Sequence, residues 1–253
     1  ERRAEVSGTE QTFWDHVDVL RASLWRIALA VVVGGLGAFC LKEPLFRLVL
    51  APCHTDFITY RWVGAEPFTL HLVNTELAEQ MMTHLRVALY MGALAASPYV
   101  IYVLYRFISP ALYERERRYS VRLTLSAYFL FMLGMVVNYL LVFPLTLRFL
   151  ALYQVSPEVN NLLTLSSYTG TLLLMSLLFG IVFEIPVLSW LLAKVGLLKA
   201  HWMARYRRHA FLAILVISAA ITPTGDAFTL FVVALPIWAL FELSILIVRR
   251  KRL

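Results

Sequence analysis

Two carboxylates stand where the surrounding sequence gives them no ordinary work. Glu116 lies in "YERERR", with Arg117, Arg118 and Arg122 close by. A carboxylate in such a place can accept a guanidinium bidentately, a planar match that an ammonium does not reproduce. On residue types alone the plainer reading is that it neutralises its arginine neighbours on a solvated face, an arrangement of small energetic value. Glu184 lies in "LLFGIVFEIPVLSWLL", far inside an apolar run. A carboxylate at the centre of a membrane costs about 3 kcal/mol on insertion scales and points to a binding or transfer role. Its plainer reading is a protonated acid bonded to a neighbouring helix. Pro186, two residues on, removes a backbone donor and is expected to kink the helix. Glu242, in "ALFELSILIVRR", falls about 10 Å before the terminal cations, close enough to reach headgroups. Asp226 closes "TPTGDAF", where Pro and Gly make a turn; it either caps the following helix or belongs to a polar docking spot.

Other chemistries lack their residues. There is no phosphate-binding G-x-x-x-x-G-K-[ST], no H-E-x-x-H and no G-x-S-x-G. The six histidines, at 16, 54, 71, 84, 201 and 209, show no metal spacing. No catalytic residue, metal or cofactor is therefore expected, and the enzyme reading has nothing to rest on. Cys40 and Cys53 are too few for a disulfide framework and read as free thiols, with a bridge possible if they face an oxidising compartment.

The elements that must position these groups follow from composition. Of 253 residues, 60% are hydrophobic and 15% charged, against about 45–50% and about 25% in soluble domains. That excess requires lipid as solvent, in a single polytopic membrane domain over 1–253. The formal charge of +7 is then a topology signal and not a nucleic-acid footprint. The polar start, "ERRAEVSGTEQTFWDHVD", does not read as a cleavable signal, so the first apolar run is expected to be retained. Six apolar runs are long enough, or nearly so, to span: 24–41, 77–107, 123–143 ending at Pro144, 170–192, the short 209–222, and 228–248. The fifth is a short span in a thinned bilayer or a re-entrant segment. Eighteen of the 23 cations fall on the side holding both termini, which places both ends in the cytoplasm. "KEPLFRLVLAP" reads as a short amphipathic helix closed by Pro52, and "PLTLRFLALYQVSPEVNNLLTLSSY" as one or two interfacial helices. No internal repeat is present, which weighs against a secondary transporter using Glu184, the alternative reading.

Five stretches in order resemble the TatC family, the multispanning core of the twin-arginine protein translocase: "DHVDVLRASLWR", "FISPALYERERR", "VFPLTLRFL", "FEIPV" and "TPTGDAFT". The resemblance covers nearly the whole chain. It implies an all-α bundle of six transmembrane helices, short at the fifth and sixth, with a concave, glove-like shape, in the bacterial inner membrane. It also implies a receptor and scaffold that binds consecutive-arginine signal peptides at its cytoplasmic face. Folded cargo is then exported using the proton-motive force, with TatA-type and TatB-type single-span proteins as partners, in a self-associating complex. Carried over by motif, Glu116 takes the signal's arginines and Arg117 adjoins it, while Phe107 and Pro110 hold the loop. The N-terminal motif H-L-x-E-L-R-x-R matches at His16, Leu20 and Arg21, but its glutamate falls on Val19 and its second arginine on Ser23. Asp15, one turn earlier on the face of Val19, or Asp18, about 100° away, could replace that glutamate, and helix geometry favours Asp15. Glu184 and Pro186 match the family's E-x-P, implying a polar spot where partner helices dock. Leu230 stands where some members carry glutamine, and Thr222 and Thr229 could supply polarity instead. Glu114 faces elsewhere on a helix and has no assigned part.

Overall fold

The computed structural model describes residues 13–64, 70, 72–108, 120–153, 156, 162–222 and 225–250, with side chains at 13–20, 104–108, 120–122 and 250 outside that description. Its architecture is helical. In chain order come α1 (Phe13–Phe39), α2 (Lys42–Leu50) with a 3-10 turn at Ala51–Cys53, α3 (Ile58–Val63), strand β1 (Leu72–Val73) and α4 (Glu79–Ile108). Then follow α5 (Ser120–Val137), a π turn at Asn138–Val142, α6 (Phe143–Leu152), strand β2 (Leu163–Thr164), α7 (Leu165–Val182), α8 (Ile185–Lys194), α9 (Ala200–Arg205), α10 (Arg207–Ile221) and α11 (Ala227–Arg250). Five segments of the described chain are long and apolar enough to cross a membrane: Arg21–Phe39, Glu79–Val103, Leu123–Leu152, Leu165–Lys194 and Ala227–Arg249. The fifth expected span, α10, has 15 residues, about 22 Å of helix against a hydrocarbon core of about 30 Å.

α1 and α4 pack antiparallel with their backbones in close approach. A Cβ placed on Gly92 would fall on the backbone N of Gly35 and the carbonyl O of Val31, with the Gly35 Cα at 2.7 Å. Further along α1 and earlier on α4, Phe39 stacks on His84 with ring centroids 4.1 Å apart. α5 and α7 meet in the same manner, with Gly134 facing the Phe179 carbonyl and Gly180 facing the Phe131 ring. Small residues permit such contacts in lipid, where association depends on close packing and not on water exclusion. The main core joins α2, α4, α6, α7, α10 and α11 around Val87, Phe143, Tyr168, Met175, Phe179 and Ile237.

Several expectations are corrected. The third span does not stop at Pro144; helix continues through it to Leu152. The missing donor of Pro144 is absorbed by the wider π turn before it, where the Phe143 N–H reaches the Asn138 carbonyl. The Leu140 carbonyl, which Pro144 cannot serve, accepts the Thr59 hydroxyl of α3 instead. Accordingly 144–152 belongs to the span and not to an interfacial helix. Farther on, 163–164 forms a parallel two-residue ladder with 72–73, registering Leu72 with Leu163 and Val73 with Thr164. Such short strands carry no readable alternation. Shortness is confined to α10, because α11 runs 24 residues with Pro236 inside it. The amphipathic helix at 42–50 and its closure near Pro52 stand as expected, with Leu45 and Val49 buried.

Candidate functional site

The antiparallel α1/α4 pair sets the geometry of one end of the molecule. From the contact at Gly35 and Gly92, Arg21 lies 14 residues back along α1 and Phe107 lies 15 residues on along α4. Both distances are about 21–22 Å of helix rise in the same direction, so the N-terminal motif and the start of the "FISPALYERERR" stretch arrive at one level. Asp15, Asp18 and Leu20 fall on the first turns of α1, which is helical through all of them. The one-turn spacing of Asp15 and Val19 therefore holds in the backbone. Arg21 is exposed. Phe107 belongs to the last turn of α4, whereas Pro110, Glu116 and Arg117 lie outside the described residues.

Within the membrane the expected polar residues do not form one cluster. Glu184 sits between α7 and α8, in the two-residue break that Pro186 imposes at the start of α8. The kink foreseen from Pro186 is present: the Glu184 N–H reaches back only to Ile181, at 3.1 Å. Neither Glu184 carboxyl oxygen has a hydrogen-bond partner among the described residues, although both are shielded. Ten residues separate it from Lys194, about 15 Å of helix. That places it well inside the Leu165–Lys194 span.

Thr222, Asp226 and Thr229 gather instead at the α10–α11 turn. Asp226 caps α11, its Oδ1 accepting the Thr229 N–H at 2.7 Å. The Thr229 hydroxyl is buried without a partner among the described residues, and Thr222 back-bonds to the Ala219 carbonyl at 3.3 Å. At the opposite end, Glu242 pairs with Arg207 at 2.8 Å, so it ties α10 to α11 and does not reach for headgroups. Leu230 is half-buried beside these groups.

Three polar features escaped the sequence reading. Asn138, wholly buried in the π turn, donates through Nδ2 to Ser176 Oγ at 2.8 Å. An asparagine beside an aromatic run gave a signal, but nothing linked it to a serine on another helix. Glu79, buried at the head of α4, accepts the Thr75 N–H at 2.7 Å through one oxygen and the Ser166 N–H at 2.8 Å through the other. Arg86 adds a bond to the Ser166 hydroxyl at 3.2 Å. Tyr60, on α3, donates toward the Pro52 carbonyl at 2.9 Å and the Pro144 carbonyl at 3.3 Å. Burial pushes its hydroxyl far above the ordinary phenol range, so it serves as a donor throughout the physiological range.

Cys40 and Cys53 are free thiols. Burial pushes the Cys53 thiol up, partly offset by Tyr168 beside it. Among the described residues no three His, Cys, Asp or Glu side chains converge as a metal site would require.

A model of the family described as "TatC: Sec-independent protein translocase protein (TatC)" matches residues 15–236. The Sec-independent protein translocase protein TatC of Blattabacterium sp. subsp. Periplaneta americana is 30% identical, over 94% of this chain and 95% of that protein. That of Koribacter versatilis is 34% identical, over 92% of this chain and 83% of its own length. A crystal structure described as the twin arginine translocase receptor TatC superposes with a TM-score of 0.77 at 29% identity, covering 94% of this chain and all of that one.

Proposed function

This chain belongs to the TatC family of Sec-independent protein translocases, and on that premise we propose that it is the receptor for consecutive-arginine signal peptides at the cytoplasmic face of the inner membrane. Glu116 takes the arginine pair, with Arg117 adjoining it. Phe107 and Pro110 hold the loop, and the first turns of α1, through Asp15 or Asp18 with Leu20 and Arg21, complete the surface. The observation that supports this reading is the antiparallel α1/α4 pairing at Gly35 and Gly92. It brings the start of α1 and the end of α4 to one level, so two stretches some 90 residues apart in sequence can act on one ligand. The basic residues near this level need a carboxylate to make an arginine receptor, and Glu116 supplies it.

The chain does its work as a scaffold and without covalent chemistry. It crosses six times, counting α10, with both termini in the cytoplasm, as one polytopic domain. Glu184 and the α10–α11 turn are places for TatA-type and TatB-type helices: an unpartnered carboxylate at mid-membrane and a buried hydroxyl at Thr229 each gain from a donor or acceptor on a neighbouring helix. The same copies then assemble into a larger complex that exports folded cargo using the proton-motive force.

The deciding experiment is photocrosslinking of the detergent-solubilised chain to a signal peptide bearing RR or KK. Capture of the RR peptide falls about 10- to 100-fold with Glu116→Ala, the worth of a charge-assisted bidentate contact, and KK is captured comparably poorly by the wild type. Equal capture of RR and KK, or indifference to Glu116→Ala, would sink the assignment. Single changes at Asp15 and Asp18 then show which of them shares the load.

A further inference from the structure

Far from the arginine-binding face, a cavity of about 390 Å³ opens between α2, α4 and the head of α7. Its polar lining is Lys42, Gln80 and His84, and its apolar lining is Phe46, Leu50, Met81 and Leu165. His84 is the unusual member. It is 9% exposed, clamped by Phe39 stacked at 4.1 Å and by the edge of Phe46 at 5.6 Å. Yet its Nε2 has no hydrogen-bond partner among the described residues. A ring held so firmly beside a cavity, with a buried nitrogen that no described residue serves, is a place for a partner from outside the described chain. His84 comes five residues after the head of α4, about 7.5 Å along the helix. That places it in the second turn of the Glu79–Val103 span, near the span's start.

We propose that this cavity binds an anionic phospholipid of the non-cytoplasmic leaflet, its phosphate held by the Lys42 ammonium and His84 Nε2–H and its acyl chain lying along Phe46, Leu50, Met81 and Leu165. The apolar part of the lining selects a lipid over free phosphate. Met81, 62% exposed on the outer face of α4, carries the apolar lining out to the bilayer. The polar part selects an anionic headgroup, because the ammonium of a zwitterionic lipid would be brought against Lys42. The nearby carboxylates do not cancel that preference. Glu79 is engaged by the Thr75 and Ser166 amides, and Glu43, though adjacent to Lys42, does not line the cavity.

The test uses the full chain extracted into mild detergent from vesicles of mixed phosphatidylglycerol and phosphatidylethanolamine, weighed intact by native mass spectrometry. The wild type retains one phosphatidylglycerol in preference to phosphatidylethanolamine. Lys42→Gln and His84→Leu each lower that occupancy by about tenfold, the loss of one charge-assisted bond, and millimolar inorganic phosphate leaves it unchanged. Lys42 is an exposed side chain, so its variant folds even if the histidine change disturbs the Phe39 stack. Equal retention of the two lipids, or wild-type retention by Lys42→Gln, overturns the proposal. Displacement by inorganic phosphate overturns the lipid in favour of a free anion. Capture of the arginine signal is read on the same samples and stays at the wild-type level, which separates failure of this site from failure of the receptor reading.

Discussion

A hydroxyl on one carbonyl allows a proline to sit inside a membrane helix. Pro144 removes the donor due to Leu140, and Thr59 replaces it. Pro98 removes the donor due to Leu94, and Ser97 replaces it from within the same helix at 2.7 Å. In hydrocarbon there is no water to take an orphaned acceptor, and at these two prolines a hydroxyl takes it instead. Thr59→Val keeps the shape, loses the donor and is expected to cost about 1–3 kcal/mol, whereas Thr59→Ser stays near wild type; thermal melting in detergent measures both. Equal stability of Val and wild type would refute it. Asp226→Ala removes the α11 cap and costs about 1 kcal/mol, seen as faster hydrogen exchange at the Thr229 amide, while Asp226→Asn preserves the protection. For Cys53, the thiolate fraction is depressed by burial, so a maleimide modifies exposed Cys40 first and half-buried Cys53 more slowly. Comparable rates would contradict that placement. These single-residue roles were only partly readable in advance. Asp226 showed its cap because the partner amide is three residues away, but Thr59 and Leu140 are 81 residues apart and nothing in composition joins them.

At the scale of elements, the glycines of α1 and α4 carry the most consequence. Gly92→Val would push its side chain into the Gly35 backbone and force the helices apart, destabilising the fold by about 1–3 kcal/mol or more. Gly37→Val is the control, since a Cβ there meets nothing within 4 Å. If both variants melt alike, the close approach is not what holds the pair. The apolar runs were legible because a 20-residue hydrophobic stretch has few other uses, and the Glu184 kink because Pro186 has a fixed backbone effect. The end of the third span was misread because the rule that proline stops a helix presumes an α-helical approach. A π turn changes which carbonyl the ring meets, and that turn has no composition of its own. The ladder of β1 with β2 was invisible for a similar reason: two residues set no period.

The whole molecule is polarised between its ends. The end where α4 finishes carries the ion pair of Arg207 with Glu242. The other is laced with hydrogen bonds from loops to helix heads, from the tyrosines Tyr60 and Tyr168 and around the Glu79 carboxylate. Whether α10 completes a sixth crossing follows from one labelling experiment. In a chain with Cys40 and Cys53 replaced by serine, Gly225→Cys at the exposed α10–α11 turn reacts with an impermeant maleimide from outside intact cells. Labelling only after the cytoplasm is opened would make α10 re-entrant and leave five crossings. Charge asymmetry anticipated this polarity from the sequence, since 18 cations against five is robust to small shifts of boundary. This network could not be anticipated, because its members recur in no motif.

The Pro144 joint also has a place in time. Thr59 and Tyr60 are made some 80 residues before the carbonyls they serve, and the Tyr168 hydroxyl returns to the Val49 carbonyl across 119 residues at 2.7 Å. Glu79 waits 87 residues for the Ser166 amide. Each bond must wait for the later of its two halves: the third crossing for Thr59 and Tyr60, and α7 for Val49 and Glu79. A nascent chain with three crossings can close the Thr59 and Tyr60 bonds but still holds the Val49 carbonyl and the Glu79 carboxylate open on its far side, and the arrival of α7 closes both. Insertion of the fourth crossing is thus the step at which the far side becomes rigid, and a ribosome stalled before it leaves a chain that proteases outside the membrane can still cut.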